Sequence, residues 1–583
     1  MEALSYQMYD GKVVLRLRGK ICENSEELLT SSLFRDVLWD FIRNLQRRES
    51  RYLNIFPDRQ VSEKAITELI DTFRFLVKLP AELVVKVHEP AKKFLKEKDL
   101  IYDFVENLYN YWRSLHRVLI CDRTLDEMDR RPYRTFAETV ERLMHVVRST
   151  YRDIQENITG SHPRVYRQVS AGVEIGAIAL PAPIPYPNGD YAALKNISLI
   201  RQIMIYPPMI FNSPSNKRKG IFERVNFNPV RGLHLDPEEW VCYPAKVGDL
   251  IIMIYFSMRF FELGFSLCNL FELAESDQIG QQPDAVYLFG VPEIPGLLEG
   301  QSQTIFYDDE ENHMLVAAIP YREEFGYFGY LKKMVLTLHN IIVMKKGRLP
   351  YHGAYFHIRM RTGKESNVLI IGDTGAGKSE TLEALRQIAG DDVEELIPIA
   401  DDMGSLKIDS TGRVLGYGTE IGAFVRLDDL QSGYAWGQID RTILMNPDQT
   451  NARVVIPITT YDEVVRGYPV DILLYANNYE VVDQDYPIIR RFENAQDALE
   501  VFRSGAVMSK GTTNTKGLVH SYFANIFGPP QYQDLHEELA VCYFDQLFKQ
   551  NVFVGELRTQ LGVPGKEHEG PLLAARALLD LIS

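Results

Sequence analysis

The 583-residue sequence predicts an α/β protein: a nucleotide domain with a phosphate-binding loop, a second α/β domain before it, and a helical region ahead of both. Three observations carry this. Beyond about Leu349, short apolar runs (NVLIIG, EELIPIAD, RVVIPIT, DILLYAN) alternate with Gly/Asp-rich turns, as strands do. One run, Val368–Ile371, enters a glycine-rich loop that opens a helical pattern. Between about Ser25 and Ile158, four segments place apolar residues at i, i+3, i+4 and i+7, the period of an amphipathic helix.

Hydrophobic residues are 45% and charged residues 25% of the chain, so a sizeable core is available and disorder is not the dominant state. The length suits three units: a helix-rich region over 1–160, an α/β domain over 161–340, and the nucleotide domain over 341–583. Lys+Arg 64 against Asp+Glu 79 gives a net charge of −15, which excludes a whole-chain basic footprint for nucleic acid. Cys22, Cys121, Cys242, Cys268 and Cys542 are scattered without a CxxC pair, against a zinc ribbon or a disulfide scaffold. The N-terminus has no apolar h-region, so no signal peptide is expected. The most apolar stretch, Leu250–Leu273, is broken by Arg259 and Glu262 and falls short of the ~20 residues of a membrane span. It reads as a buried helix. A soluble, cytoplasmic protein is expected, with neither membrane nor nucleic acid as partner.

In chain order, residues 1–20 read as a short strand or hairpin around VVLRLRG. The helical segments are LFRDVLWDFIRNLQRR, ITELIDTFRFLVKL, IYDFVENLYNYWRSLHRVL and FAETVERLMHVVRSTYRDI. The basic residues around Arg47–Arg59 read as a solvated helix face. Composition shifts near Gly160 to Pro, Gly and β-branched residues, with a turn at Pro187-Asn188-Gly189. SLIRQIMIY and HMLVAAIPY follow as strands.

The chemistry concentrates after Val368. Gly372-Asp373-Thr374-Gly375-Ala376-Gly377-Lys378-Ser379-Glu380 is a Walker A loop between a strand and a helix. Its glycines let backbone N–H groups cradle phosphate oxygens, helped by the partial positive charge of the helix N-terminus. Lys378 can reach the β/γ-phosphates of ATP and Ser379 can ligate Mg²⁺. About twenty residues on, the strand Leu396–Ala400 ends in Asp401-Asp402, hard oxygen donors for the loop's metal and for a second metal or a proton.

These residues resemble the phosphoenolpyruvate carboxykinase and HPr kinase superfamily. The segment GDTGAGKSET is most similar to the HPr kinase loop, and His352-Gly353 and Glu420 also fit that branch. Tyr327-Phe328-Gly329-Tyr330-Leu331-Lys332-Lys333 resembles the carboxykinase Tyr-x-Gly-x-x-Lys-Lys segment, with His352 nineteen residues after Lys333. Thr450-Asn451-Ala452-Arg453, running on to Pro457-Ile458, is similar to the carboxykinase Asn-Thr-Arg-x-x-Tyr-Pro-Ile. Ser504-Gly505 through Phe523 to Phe527-Gly528 tracks that family's C-terminal segment. The likeness covers about Asn312–Val563 and leaves residues 1–310 without a match.

The resemblance implies a carboxykinase-like nucleotide domain and a carboxykinase-like α/β domain, with the site in the cleft between them. Mg²⁺ would sit on Ser379 and Asp401. A second metal, Mn²⁺ or Mg²⁺, would sit on Lys333, His352 and Asp402. Arg453 would contact the transferred phosphoryl group, while Tyr327 and Lys332 would line a small-acid pocket. A metal-bound Lys333 must be neutral, and the adjacent Lys332 and the metal both depress its pKa. The implied activity is ATP-dependent phosphoryl transfer to the enolate of a small keto acid, oxaloacetate giving phosphoenolpyruvate. One alternative is an HPr-kinase-like kinase of a protein or small-molecule hydroxyl, with Asp401 as base. Another is a non-catalytic nucleotide switch whose helical N-terminal region binds a protein partner. The sequence departs from the carboxykinases at His352-Gly353-Ala354-Tyr355-Phe356, at Met403-Gly404-Ser405-Leu406 after the Asp pair, in Ser379 for Thr, in Lys516 near a usual arginine, and in lacking their arginine-bearing substrate segment.

Overall fold

The computed structural model describes residues 4–17, 22–122, 132–160, 171–187, 189–206, 209–214, 222–292, 304–388, 390, 392–427, 440–449, 452–510, 516–526 and 532–583. The expected turn at Asn188 and the motif residues Thr450, Asn451, Phe527 and Gly528 lie outside them. The chain is mixed α/β and forms two compact units, one of residues 1–181 with 200–206, the other of 182–199 with 207–583.

In the first unit, strands Leu4–Tyr9 and Lys12–Leu17 form the expected hairpin, Tyr9 opposite Lys12. Helices Ser32–Arg47 and Glu63–Leu76 begin where the side chains of Ser31 and Ser62 accept from the N–H groups of Phe34 and Ala65. Their apolar faces meet Lys98–Ser114 around Phe41, Phe56, Phe94 and Phe104, with Phe41 and Phe104 edge-to-face at 5.3 Å. One expectation is corrected. The helical reading ran on through His116–Leu119, but the helix ends at Ser114, Leu115 is extended, and His116–Cys121 is a strand. This run pairs in parallel with Lys12–Leu17 on one side and Ile175–Leu180 on the other. Backbone bonds on both edges and an aliphatic, buried run outweigh a periodicity that continued by chance.

In the second unit, one sheet has the order Trp240–Val247, Leu250–Ser257, Ala285–Val291, Met314–Pro320, Thr304–Asp309, Phe222–Val225. Here the buried-helix reading of Leu250–Leu273 is corrected: Leu250–Ser257 is a strand and only Phe261–Ser266 is α-helical. It returns from Trp240–Val247 through the two-residue turn Gly248-Asp249 and pairs in parallel with Ala285–Val291. A central strand buried on both faces shows no alternation, so its pattern is that of a buried helix.

A second sheet has the order Tyr468–Pro469, Val414–Gly418, Met403–Ile408, Leu349–Met360, Glu365–Ile371, Ile472–Asn477, Phe553–Arg558, Ile489–Arg491, with Val393–Ala400 also paired to Leu349–Met360. Four short strands, Gly422–Arg426, Arg453–Pro457, Ile443–Met445 and Met209–Phe211, make a third. The strands expected from NVLIIG, EELIPIAD, RVVIPIT and DILLYAN are all present. Helix Phe328–Lys345 is apolar on nearly every face and buried along most of its length. Among the described residues, no helix is long and apolar enough to cross a membrane.

His339 of that helix is buried, with Nδ1 3.0 Å from Asn340 Oδ1, and burial pulls its pKa from 6.5 down to about 4. As pH falls, the unfolded chain therefore takes up this proton first. The stability that depends on neutral His339 is complete above pH 6.5 and is lost on the way down to about pH 4, on the order of 3 kcal/mol. His339→Gln is expected to flatten that limb in denaturant titrations run across this pH range; an unchanged slope would contradict the assignment.

Candidate functional site

The Leu349–Met360 strand organises the site through the backbone at His352 and Gly353. The His352 carbonyl accepts from Gly372 N (3.1 Å), where the glycine-rich loop begins. Gly353 N donates to the Asp402 carbonyl (2.9 Å), where the acidic pair ends. One dipeptide thus fixes the separation of loop and carboxylates.

The loop turns between the Glu365–Ile371 strand and the Lys378–Ile388 helix, as its sequence requires. Gly377 has φ +95°, and a Cβ there would lie 2.6 Å from Thr559, so both conformation and contact demand glycine. Outside residues hold its shape: Thr559 Oγ1 donates to the Ala376 carbonyl (2.7 Å) and Asn478 Nδ2 to the Gly375 carbonyl (2.8 Å). Asp373 Oδ1 accepts from Thr374 N at 2.7 Å. Glu380, in the first turn of the helix, lines the same cleft.

That cleft, about 230 Å³, is lined by Lys332, Lys333, His352, Lys378, Asp401 and Asp402 and also by Tyr327, Phe424, Arg426 and Arg453. Lys378 is buried; its Nζ donates to the Gly372 carbonyl and, at 3.3 Å, to that of Asp373, and lies 3.4 Å from His352 Nε2. Burial lowers its pKa. Ser379 Oγ donates to Asp401 Oδ1 at 3.3 Å.

The charges are concentrated at Lys332. Its Nζ sits 2.7 Å from Asp402 Oδ2 and 3.0 Å from Glu420 Oε1, with the side chain almost wholly out of water. Burial alone would lower its pKa; the two carboxylates outweigh that and raise it. Burial also acts on Asp402, but Lys332 and His352 hold its carboxyl well below the usual range. Asp401 is pushed up, by burial first and then by the charge of Asp402. Glu420 rises to about 7, by burial and the neighbouring aspartates against the pull of Lys332.

The sequence assigned Lys333 to the cluster with His352 and Asp402, and Lys332 to substrate. The structure brings Lys332 to Asp402; Lys333 is half-buried and lines the same cleft. His352 Nε2 lies 2.9 Å from Asp402 Oδ1. Among the described residues, no group of three or more His, Cys, Asp or Glu converges as a metal cage. The donors instead form two pairs, Ser379 with Asp401 and His352 with Asp402. The first fits a Mg²⁺ that arrives on substrate phosphates and needs few protein ligands. The second, one imidazole and one carboxylate, fits a borderline cation such as Mn²⁺.

Sequence reasoning missed Arg426. It stands directly opposite Arg453 in the pairing of Gly422–Arg426 with Arg453–Pro457, so two guanidinium groups share one wall of the cleft. Arg453 lies 5.5 Å over the Phe424 ring, and its Nε is buried with no hydrogen-bond partner among the described residues. Phe424 and Tyr327 rings meet edge-to-face at 6.1 Å. A period of two from Gly422 puts Phe424 and Arg426 on one face of the strand, a signal present in the sequence. Compared with protein-family models and with curated protein sequences, the chain finds no match.

Lys332→Met is expected to destabilise the second unit by about 3 kcal/mol, because the buried Glu420 and the half-buried Asp402 lose their counter-charge. The double variant Lys332→Met/Glu420→Gln should recover part of that loss in the same denaturant titration. A single variant within about 1 kcal/mol of the parent would show that the ammonium does not hold the cluster.

Proposed function

We propose that this protein is an ATP-dependent, divalent-metal-assisted phosphotransferase of the phosphoenolpyruvate carboxykinase type, acting on the enolate of a small keto acid. The observation that carries this is one cleft lined by two sets of cationic groups. One set is a loop lysine at a helix N-terminus beside a His–Asp–Lys cluster; the other is two arginines in register on paired strands. A phosphoryl group in transfer spreads negative charge over its equatorial oxygens, and fixed cations around it are the main catalytic device.

In this reading the loop residues Gly372–Glu380 hold the ATP phosphates and Lys378 leaves the loop carbonyls for the β/γ-oxygens. Ser379 and Asp401 would hold Mg²⁺; His352 and Asp402, with Lys333 alongside, would hold Mn²⁺. These cations supply charge neutralisation at the bridging and acceptor oxygens when bound. Tyr327 and Lys332 border the acid, and Arg453 and Arg426 face the phosphoryl oxygens. Loss of CO₂ from oxaloacetate leaves its electron pair as an enolate. The enolate oxygen then bonds to the γ-phosphorus while the β–γ bridging oxygen departs on ADP.

A second reading, transfer to a hydroxyl, is favoured by Asp401. Burial raises its pKa, which suits a carboxylate that must accept a proton at the loop.

The test is purified full-length chain with Mg²⁺ and Mn²⁺, given ATP and oxaloacetate, then phosphoenolpyruvate, bicarbonate and ADP. Turnover is expected in both directions. Arg453→Ala and Arg426→Ala are each expected to lower kcat by about 10²–10³-fold, with ATP affinity changed far less. ATP binding without turnover would replace the keto acid by a hydroxyl acceptor; no ATP binding, in a chain that stays folded, would overturn the proposal.

A further inference from the structure

His352 is held from behind by an unusual piece of backbone. Phe523, Ala524 and Asn525 have φ of 44°, 57° and 60°, three successive non-glycine residues in the left-handed region. Side chains other than glycine adopt it reluctantly, and such strain persists only where the surroundings dictate it. Here they do. Phe523 and Ala524 are buried, and the Phe523 ring lies 4.8 Å from His536, 5.0 Å from Tyr522 and 6.3 Å from Phe544. Asn525 N donates to the Tyr522 carbonyl (3.0 Å), and Ser521 N to the Gly505 carbonyl (3.1 Å). Gly505 itself has φ +54°, and a Cβ there would lie 1.7 Å from the Ser521 carbonyl oxygen and 2.9 Å from Ala524 N. The turn therefore rests on a glycine that no larger residue can replace without moving it.

The product of this conformation is a single contact: the Ala524 carbonyl points at His352 Nδ1, at 2.5 Å. A carbonyl can only accept, so Nδ1 must carry a proton. In the neutral ring that leaves Nε2 as a lone pair, and Nε2 is the atom 2.9 Å from Asp402 Oδ1. Nε2 also lies 3.4 Å from Lys378 Nζ, and two acceptors 2.9 Å apart are held together by a shared cation, an ammonium or a metal ion, or by a proton.

We propose that the Phe523–Asn525 turn is a positioning element that fixes the tautomer and orientation of His352, presenting Nε2 with Asp402 to a divalent cation. It rests on the reading of His352 and Asp402 as cation ligands, and deepens it by assigning the group that orients the imidazole.

The test uses full-length protein with ¹⁵N-labelled histidine rings, at about pH 8.5 where an ordinary imidazole is neutral. The His352 signals are identified by their loss in His352→Gln. In the parent, ring ¹⁵N–¹H correlations should show one tautomer, protonated at Nδ1. Gly505→Ala pushes the turn away and should move population to the Nε2–H form. Phe523→Ala removes the aromatic packing that holds the turn without adding bulk, and should do so in part should the first variant fail to fold. Calorimetric titration with Mn²⁺ should weaken about 10–100-fold in the same variants. Folded variants that keep the parent's single tautomer would overturn the proposal, as would a parent ring protonated at Nε2 alone. A tautomer that shifts in the variants while the parent binds no Mn²⁺ would sustain the positioning role and overturn only the cation reading.

Discussion

An ammonium group with almost no access to water sits between two carboxylates, and the site is arranged around that fact. Asp402 and Glu420 hold the charge on Lys332 at a depth where burial opposes it, and Lys332 in turn favours the charged form of both carboxylates. The cluster is thus mutually supporting, and its members arrive from three separate elements. Lys332 comes from the Phe328–Lys345 helix, Asp402 from the end of the Val393–Ala400 strand, and Glu420 from just before the Gly422–Arg426 strand. Such a pairing ties the approach of these elements to one another, because a displaced Glu420 would leave the buried Lys332 short of a counter-charge.

The second constraint is the Leu349–Met360 strand. It is bonded to Glu365–Ile371 on one edge, and to Val393–Ala400 and Met403–Ile408 on the other. At His352 these neighbours diverge into the loop and the acidic pair. The groups that would meet phosphate and cation therefore belong to adjacent strand ends of one sheet, where loops are positioned by rigid scaffold. The Ala524 carbonyl of the strained turn meets His352, a side chain of this strand that lies against Asp402.

Legibility in the sequence followed how local each signal was. The loop, the Asp401-Asp402 pair and the strands flanking them were readable because glycine spacing and short apolar runs encode them within a few residues. Lys332 and Lys333 were not separable. Neighbours on a helix point about 100° apart, and which of the two bonds to Asp402 is set by tertiary packing. Arg426 was legible only to a reader who already knew the register of its strand against Arg453. Leu250–Ser257 was misread because burial on both faces erases alternation, although Gly248-Asp249 marked a tight turn. The Phe523–Asn525 turn carries no glycine or proline signature within itself, and its cause lies at Gly505 and in the aromatic packing around it.

The most direct test of the central claim is anomalous diffraction at the manganese edge from crystals grown with Mn²⁺ and a non-hydrolysable ATP analogue. The account predicts phosphates against Gly372–Ser379 and anomalous peaks at about 2.0–2.2 Å from Ser379 or Asp401 oxygen and from His352 Nε2 with an Asp402 oxygen. A nucleotide bound elsewhere, or a loop that holds phosphate while no peak falls at either donor pair, would contradict it.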